Sequence, residues 1–305
     1  MTAFCDPAPQ SNRQPAADLR TRRISGAERG TGLTLALGGG FSKGFAHLGV
    51  LEVLKQAQVS VGAIVGTSIG ALLGAAYADG IPVQDLCDLG RRVNVRDFLR
   101  FHQTGKDDRR RDRIGQFVHE WFRNTEVEDL PIPTAIVTTD LATGAPYVFT
   151  RGPLELAIRA SCAFPGLMKP VEYEGRLLAD GCIASPVPTA IAARFNGGCV
   201  LGVSVGSNVA SGSSSESVVR IFENGFSASG TDELEPSGSN LADILLEPQV
   251  HHIDWNDFSR VDEAFAAGAQ AMRRALPSLQ ELFARRSDLA TAQGMNFRLE
   301  NGLAI

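Results

Sequence analysis

Two segments of this chain follow one plan, and that plan restricts the fold more than any other feature of the sequence. In GLTLALGGGFSKGFAHLGVLEVLKQAQV a short apolar run, Leu33 to Leu37, breaks at Gly38, Gly39 and Gly40, then continues with apolar residues at Phe45, Leu48, Leu51 and Leu54. In VGAIVGTSIGALLGAAYADG the run Val61 to Val65 passes through GTSIG into an apolar helix, Ala71 to Ala78, closed by Asp79-Gly80. Strand, glycine turn and helix, twice over, predict a parallel sheet covered by helices. Both turns then lie at the carboxyl ends of their strands, the side on which such sheets carry their sites.

The rest of the chain extends this α/β plan. Residues 82 to 125 read as mainly helical and polar, with the charge run KDDRRRDR at 106 to 113 as a solvated face. Strands are expected at Ala135 to Thr138, Tyr147 to Thr150 and Cys199 to Val205, helices at 153 to 162 and 188 to 195. A hairpin is expected around Tyr173-Glu174-Gly175-Arg176. Residues 206 to 240 are rich in Ser and Gly and read as a flexible surface insertion. ADILLEPQV supplies a last strand, and the terminal helices after it are expected to be interrupted at Pro277.

Composition removes several classes of function. A net charge of −5 over 305 residues gives no footing for wholesale nucleic-acid binding. The five cysteines, at 5, 87, 162, 182 and 199, form no CxxC pair, which suits free thiols in a reducing compartment. The five histidines have no metal-ligand spacing, so no metal is expected. The first thirty residues lack the apolar core of a secretory signal and read as a disordered, solvated tail. No segment offers the ~20 continuous apolar residues of a membrane span.

Gly66-Thr67-Ser68-Ile69-Gly70 fits G-x-S-x-G at a strand-to-helix junction, the context of a nucleophile elbow. A tight turn that happens to hold a serine fits the same residues. Gly38, Gly39 and Gly40 lie in the neighbouring turn, where backbone N–H groups at a helix start can face an anion. GGGFSKG is not a Walker A loop, since Lys43 has no Ser or Thr after it. Asp180-Gly181 follows Leu177-Leu178 and reads either as a turn dipeptide or as a carboxylate at a strand end. Asp140, before a TG turn, reads as a buried turn-former, and Cys162 and Cys182 as packing residues.

Taken in order, GGGFSKG, GTSIG and DGC resemble the motifs of the patatin-like phospholipases, closest to small bacterial members of the neuropathy-target-esterase branch. TTDLATG at 138 to 144, ASCAFPGLMKPV at 160 to 171 and SPVP at 185 to 188 add to the likeness. It covers roughly residues 31 to 205 and, more loosely, 241 to 285. The resemblance implies a three-layer α/β/α fold with a mainly parallel central sheet. It implies a Ser–Asp dyad without histidine: Ser68 as nucleophile on an elbow framed by Gly66 and Gly70, and Asp180 as general base. Gly38, Gly39 and Gly40 would form the oxyanion hole. Lys43 would close that loop, either bracing it or binding a lipid phosphate. Cys182 stands where the family's DG[GA] motif has another small residue.

The implied activity is hydrolysis of fatty-acyl esters of phospholipids or lysophospholipids, with no cofactor and no nucleic-acid partner. The expected location is cytoplasmic, with peripheral contact to membrane. The implied division is a tail over 1–30, a catalytic domain over 31–285 containing the 206–240 insertion, and a C-terminal tail over 286–305. Two other readings stay open: a non-catalytic regulatory or adaptor protein on the same fold, and an acyl thioesterase or acyltransferase. His47 is expected to pack along its helix, and His251 and His252 are the competitors for a triad histidine.

Overall fold

A five-residue strand whose single polar residue is Thr34 has to be covered on both faces. The computed structural model, which describes residues 32–93, 113–166, 168–196, 198–206 and 241–300, shows how this happens. In β1 (Leu33–Leu37) the side chains of Leu33, Leu35 and Leu37 enter one apolar layer, and Ala36 enters a second on the opposite face. The same alternation sends Ile64 and Val65 of β2 (Val61–Thr67), and Ile136 and Val137 of β3 (Thr134–Asp140), to opposite layers.

The larger layer is built by α1 (Ala46–Gln56), α2 (Ile69–Ala78) and α3 (Val83–Arg92), with α4 (Arg113–Phe122) and α5 (Leu154–Ser161) beyond them. The smaller is closed by α6 (Thr189–Phe195), which contributes Ile191 and Ala192. A mostly parallel sheet lies between, so the architecture is a three-layer α/β/α fold. Completing the sheet are β4 (Pro146–Phe149), β5 (Val171–Tyr173), β6 (Arg176–Asp180), β7 (Cys199–Val203) and β8 (Ile244–Leu246). The order is β5-β6-β3-β2-β1-β7-β8, with β4 on β3. Strands β3, β2, β1, β7 and β8 run parallel, and β4, β5 and β6 form the antiparallel end.

The β5–β6 hairpin turns where it was expected. Glu174 and Gly175 both take positive φ, 49° and 76°, as a tight two-residue turn between right-twisted strands requires. One expectation fails. The last helix, α7 (Val261–Glu300), runs unbroken through Pro277 and past residue 285. Pro277 sits on the exposed side of α7, and Met272 and Leu279 on either side of it are buried. The proline therefore costs one hydrogen bond on the solvent side, where long helices already curve outward, and core packing holds both halves in line.

The N-terminal tail, nearly all of the charge run at 106–113 and the insertion beyond Gly206 lie outside the described residues. Among the described residues, no helix is long and apolar enough to cross a membrane, and no group of His, Cys, Asp and Glu is placed to hold a metal.

Candidate active site

Residues 68 and 180 meet because two strands share one edge of a third. Strand β4 takes one edge of β3 from Ile136 to Thr139. On the other edge β2 runs parallel to β3 and ends with Thr67 opposite Val137. One residue further along the same edge β6 arrives from the opposite direction, with Asp180 opposite Thr138. The carboxyl ends of β2 and β6 thus face each other head-on, and the residues that leave them are Ser68 and the Asp180–Gly181 turn.

Ser68 is the N-cap of α2 and takes φ 54° and ψ −121°. For a residue with a side chain such a backbone stores ~1–3 kcal/mol, and the surroundings must hold it in place. They do so in two ways. Ser68 N–H donates to Ser161 Oγ at 2.8 Å, and Ser161 Oγ–H donates to the Val137 carbonyl at 2.6 Å, tying the elbow to β3. Gly70 lets α2 start against the end of β1, since a Cβ there would stand 2.3 Å from the Leu37 carbonyl oxygen.

The Ser68 hydroxyl donates to Asp180 Oδ2 at 2.7 Å. Asp180 is 1% exposed, its Oδ1 accepts from Cys182 N–H at 2.9 Å, and its own N–H donates to the Ala163 carbonyl. Burial pushes its pKa up to about 6, against the lowering effect of the Cys182 and Ser68 hydrogen bonds. A carboxylate in this position is a far better base than an exposed aspartate, and it is still ionised at neutral pH. The N-terminus of α2 places the positive end of a helix dipole beside Ser68, which favours a developing alkoxide.

Histidine takes no part in this contact. Among the described residues, no histidine is hydrogen-bonded to Ser68 or Asp180. His47 meets the Gly38 carbonyl, His119 meets Glu155 and His252 meets Glu263 at the surface, with His251 edge-to-face against His252. His102 lies outside the described residues.

The glycine loop lies against Ser68 and Cys182. A Cβ on Gly39 would fall 2.0 Å from Cys182 Sγ and 3.3 Å from Ser68 Cβ, so only glycine fits there. The N–H groups of the three glycines are not equivalent. Gly38 N–H continues the ladder to the Val203 carbonyl and Gly39 N–H donates to the Pro186 carbonyl, both at 3.0 Å. Gly40 N–H donates to no protein acceptor among the described residues. Of the three glycines expected to form an oxyanion hole, Gly38 and Gly39 thus have their N–H groups engaged within the protein, and that of Gly40 is not. Lys43 is half-buried in the 3-10 turn Phe41–Phe45, and its N–H donates to the Gly40 carbonyl.

Phe41, beside Gly40, makes edge-to-face contacts with Phe164 and Trp255 at 5.3 and 5.1 Å between ring centroids. This row of partly exposed rings was not legible in the sequence, because its members come from three distant segments. Asp140 is the buried turn-former expected: its Oδ1 accepts from Ala142 N–H. It also pairs through Oδ2 with Arg176, a partner across the strand pair that no local pattern reveals. Burial, with the charge of Asp180 nearby, holds the Cys162 and Cys182 thiols well above the usual range, as suits packing residues rather than nucleophiles.

With this geometry in view, likeness in sequence places the chain. The family profile for patatin-like phospholipase matches residues 35–193, just over half of the chain. An uncharacterised NTE family protein of Mycobacterium tuberculosis is 37% identical over 194 residues, covering 63% of this chain and 52% of that protein. Patatin-like phospholipase domain-containing protein 6 of Mus musculus is 30% identical over 199 residues, covering 61% of this chain and 14% of that one. The match thus spans about half the length of the mycobacterial relative. Among solved structures, VipD from Legionella pneumophila aligns with a TM-score of 0.47 and 13% identity, over 81% of this chain and 67% of its own.

Proposed function

The chain belongs to the patatin-like phospholipase family, and from that premise we propose that it is a serine acyl hydrolase working through a Ser68–Asp180 dyad on fatty-acyl esters of phospholipids or lysophospholipids. The observation that carries the reading is the 2.7 Å hydrogen bond from Ser68 Oγ to the buried Asp180 carboxylate. Ser68 Oγ attacks the ester carbonyl carbon as its proton passes to Asp180 Oδ2. The carbonyl oxygen becomes an oxyanion that accepts from Gly40 N–H. The tetrahedral intermediate collapses, the alcohol leaves with the proton from Asp180, and an acyl-enzyme remains on Ser68. Water, giving a proton to Asp180, attacks the acyl-enzyme. The second tetrahedral intermediate collapses as Asp180 returns that proton to the leaving Ser68 Oγ, which releases the fatty acid and restores the free enzyme.

The aromatic row of Phe41, Phe164 and Trp255 supports an acyl substrate, since it gives an apolar wall one residue from the oxyanion donor. No step calls for a metal or an organic cofactor. Contact with a membrane would be peripheral, where the lipid substrate is presented. Transfer to a thiol or alcohol acceptor uses the same acyl-enzyme, and the nature of the acceptor separates the two outcomes.

The test is hydrolysis of a panel of phospholipids, lysophospholipids and short-chain nitrophenyl esters by wild type and Ser68→Ala. Fatty-acid release by the wild type, falling at least ~10³-fold in the variant, is expected. Equal activity in the two proteins would sink the reading.

A further inference from the structure

His47 is a buried titratable side chain that the acyl-transfer steps leave unused. It is fully buried in α1, and its Nε2 lies 2.8 Å from the Gly38 carbonyl oxygen. A carbonyl can only accept, so Nε2 carries the proton and Nδ1 is a bare acceptor. That Nδ1 is buried and has no hydrogen-bond partner among the described residues. Burial lowers the pKa of the ring to about 4, so it is neutral at physiological pH. Leaving a polar atom stranded costs ~1–3 kcal/mol, a cost that an aliphatic side chain in the same space would not carry.

What the imidazole holds is one peptide unit. The Gly38–Gly39 peptide accepts from His47 at its carbonyl and donates from Gly39 N–H to the Pro186 carbonyl. Two opposed hydrogen bonds fix the plane of that peptide between α1 and the Ser185–Pro188 loop. The next N–H along the chain belongs to Gly40, the glycine donor left for an oxyanion. A glycine triplet has little stiffness of its own, so an external clamp decides where that N–H points.

We propose that His47 is a positioning residue: it clamps the Gly38–Gly39 peptide and so aims the Gly40 N–H at the oxyanion formed on attack by Ser68. This rests on the hydrolase reading above. His47→Gln carries an amide N–H to about the place of Nε2, and His47→Leu keeps bulk without a donor. Two readouts apply to the full-length chain: amide hydrogen exchange in the 38–44 segment, and kcat and KM on a short-chain nitrophenyl ester.

For His47→Leu, exchange at Gly39, whose N–H is hydrogen-bonded to the Pro186 carbonyl, should rise at least ~10-fold. Its kcat should fall on the order of a hundredfold, with KM within about threefold of wild type. His47→Gln should bring both readouts back to within about fivefold of wild type. Wild-type exchange and kcat in a folded His47→Leu would overturn the proposal, and so would a His47→Gln as impaired as the leucine variant. Should His47→Leu not fold, His47→Asn replaces it, with an amide too short to reach Gly38. If the wild type itself turns over no ester, the hydrolase reading falls, and the exchange comparison alone decides whether His47 is the clamp.

Discussion

A serine held at φ 54° needs more than a motif to keep it there. The two flanking glycines make the elbow possible, and Ser161 makes it rigid. Its hydroxyl accepts from the Ser68 N–H and donates to the Val137 carbonyl, with all three groups away from water. Ser161→Ala strands both backbone groups and is expected to lower stability by ~2–3 kcal/mol in a urea melt. It should also reduce kcat more than it changes KM, because the displaced group is the proposed nucleophile. The glycine turns at Ser68 and Asp180 were visible in the sequence as local signals, and the order of the motifs, through the family they resemble, singled out the two residues. Ser161 was not: a serine ending a helix looks like any other until the fold brings residue 68 against it. The differing fates of the Gly38, Gly39 and Gly40 N–H groups were equally hidden, since their partners come from β7 and from the loop at Pro186.

At the level of elements, the chain announces its strands and helices well and their meeting places poorly. β1 was legible to the residue, and the other main strands to within a few, because each apolar run is bracketed by glycine, proline or aspartate. The head-on meeting of β2 and β6 along one edge of β3 was not, because pairing register is set by tertiary contacts between segments far apart in sequence. That register brings Ser68 and Asp180 together. The Pro277 error has the opposite origin: a strong local rule yielded to packing on both sides of it. Since this proline is exposed and inside a continuous helix, Pro277→Ala should raise stability by ~1–3 kcal/mol. A thermal or urea melt checks this, and a loss of stability would mean that the proline stabilises the helix where it stands.

Over the whole molecule, the site works against the stability of the fold. Asp180 has a folded-state pKa of about 6, above the ~3.9 of an unfolded chain, so the native state binds the extra proton more tightly. Its contribution to stability is therefore greatest below pH ~4, falls as pH rises towards 6, and stays low above that, a span of up to ~3 kcal/mol. Asp180→Asn should accordingly be more stable than wild type at pH 8 by ~1–3 kcal/mol, and the gap should close near pH 4. Urea melts of the two proteins at both pH values test the sign. The measurement closest to the central claim is the rate of covalent labelling by a fluorophosphonate across pH, with the adduct located by mass spectrometry. The account expects one adduct, on Ser68, forming at a rate that climbs through about pH 6 to a plateau as Asp180 ionises, and almost none in Asp180→Asn. No adduct on Ser68 in folded wild type, or an equal rate in Asp180→Asn, would contradict it.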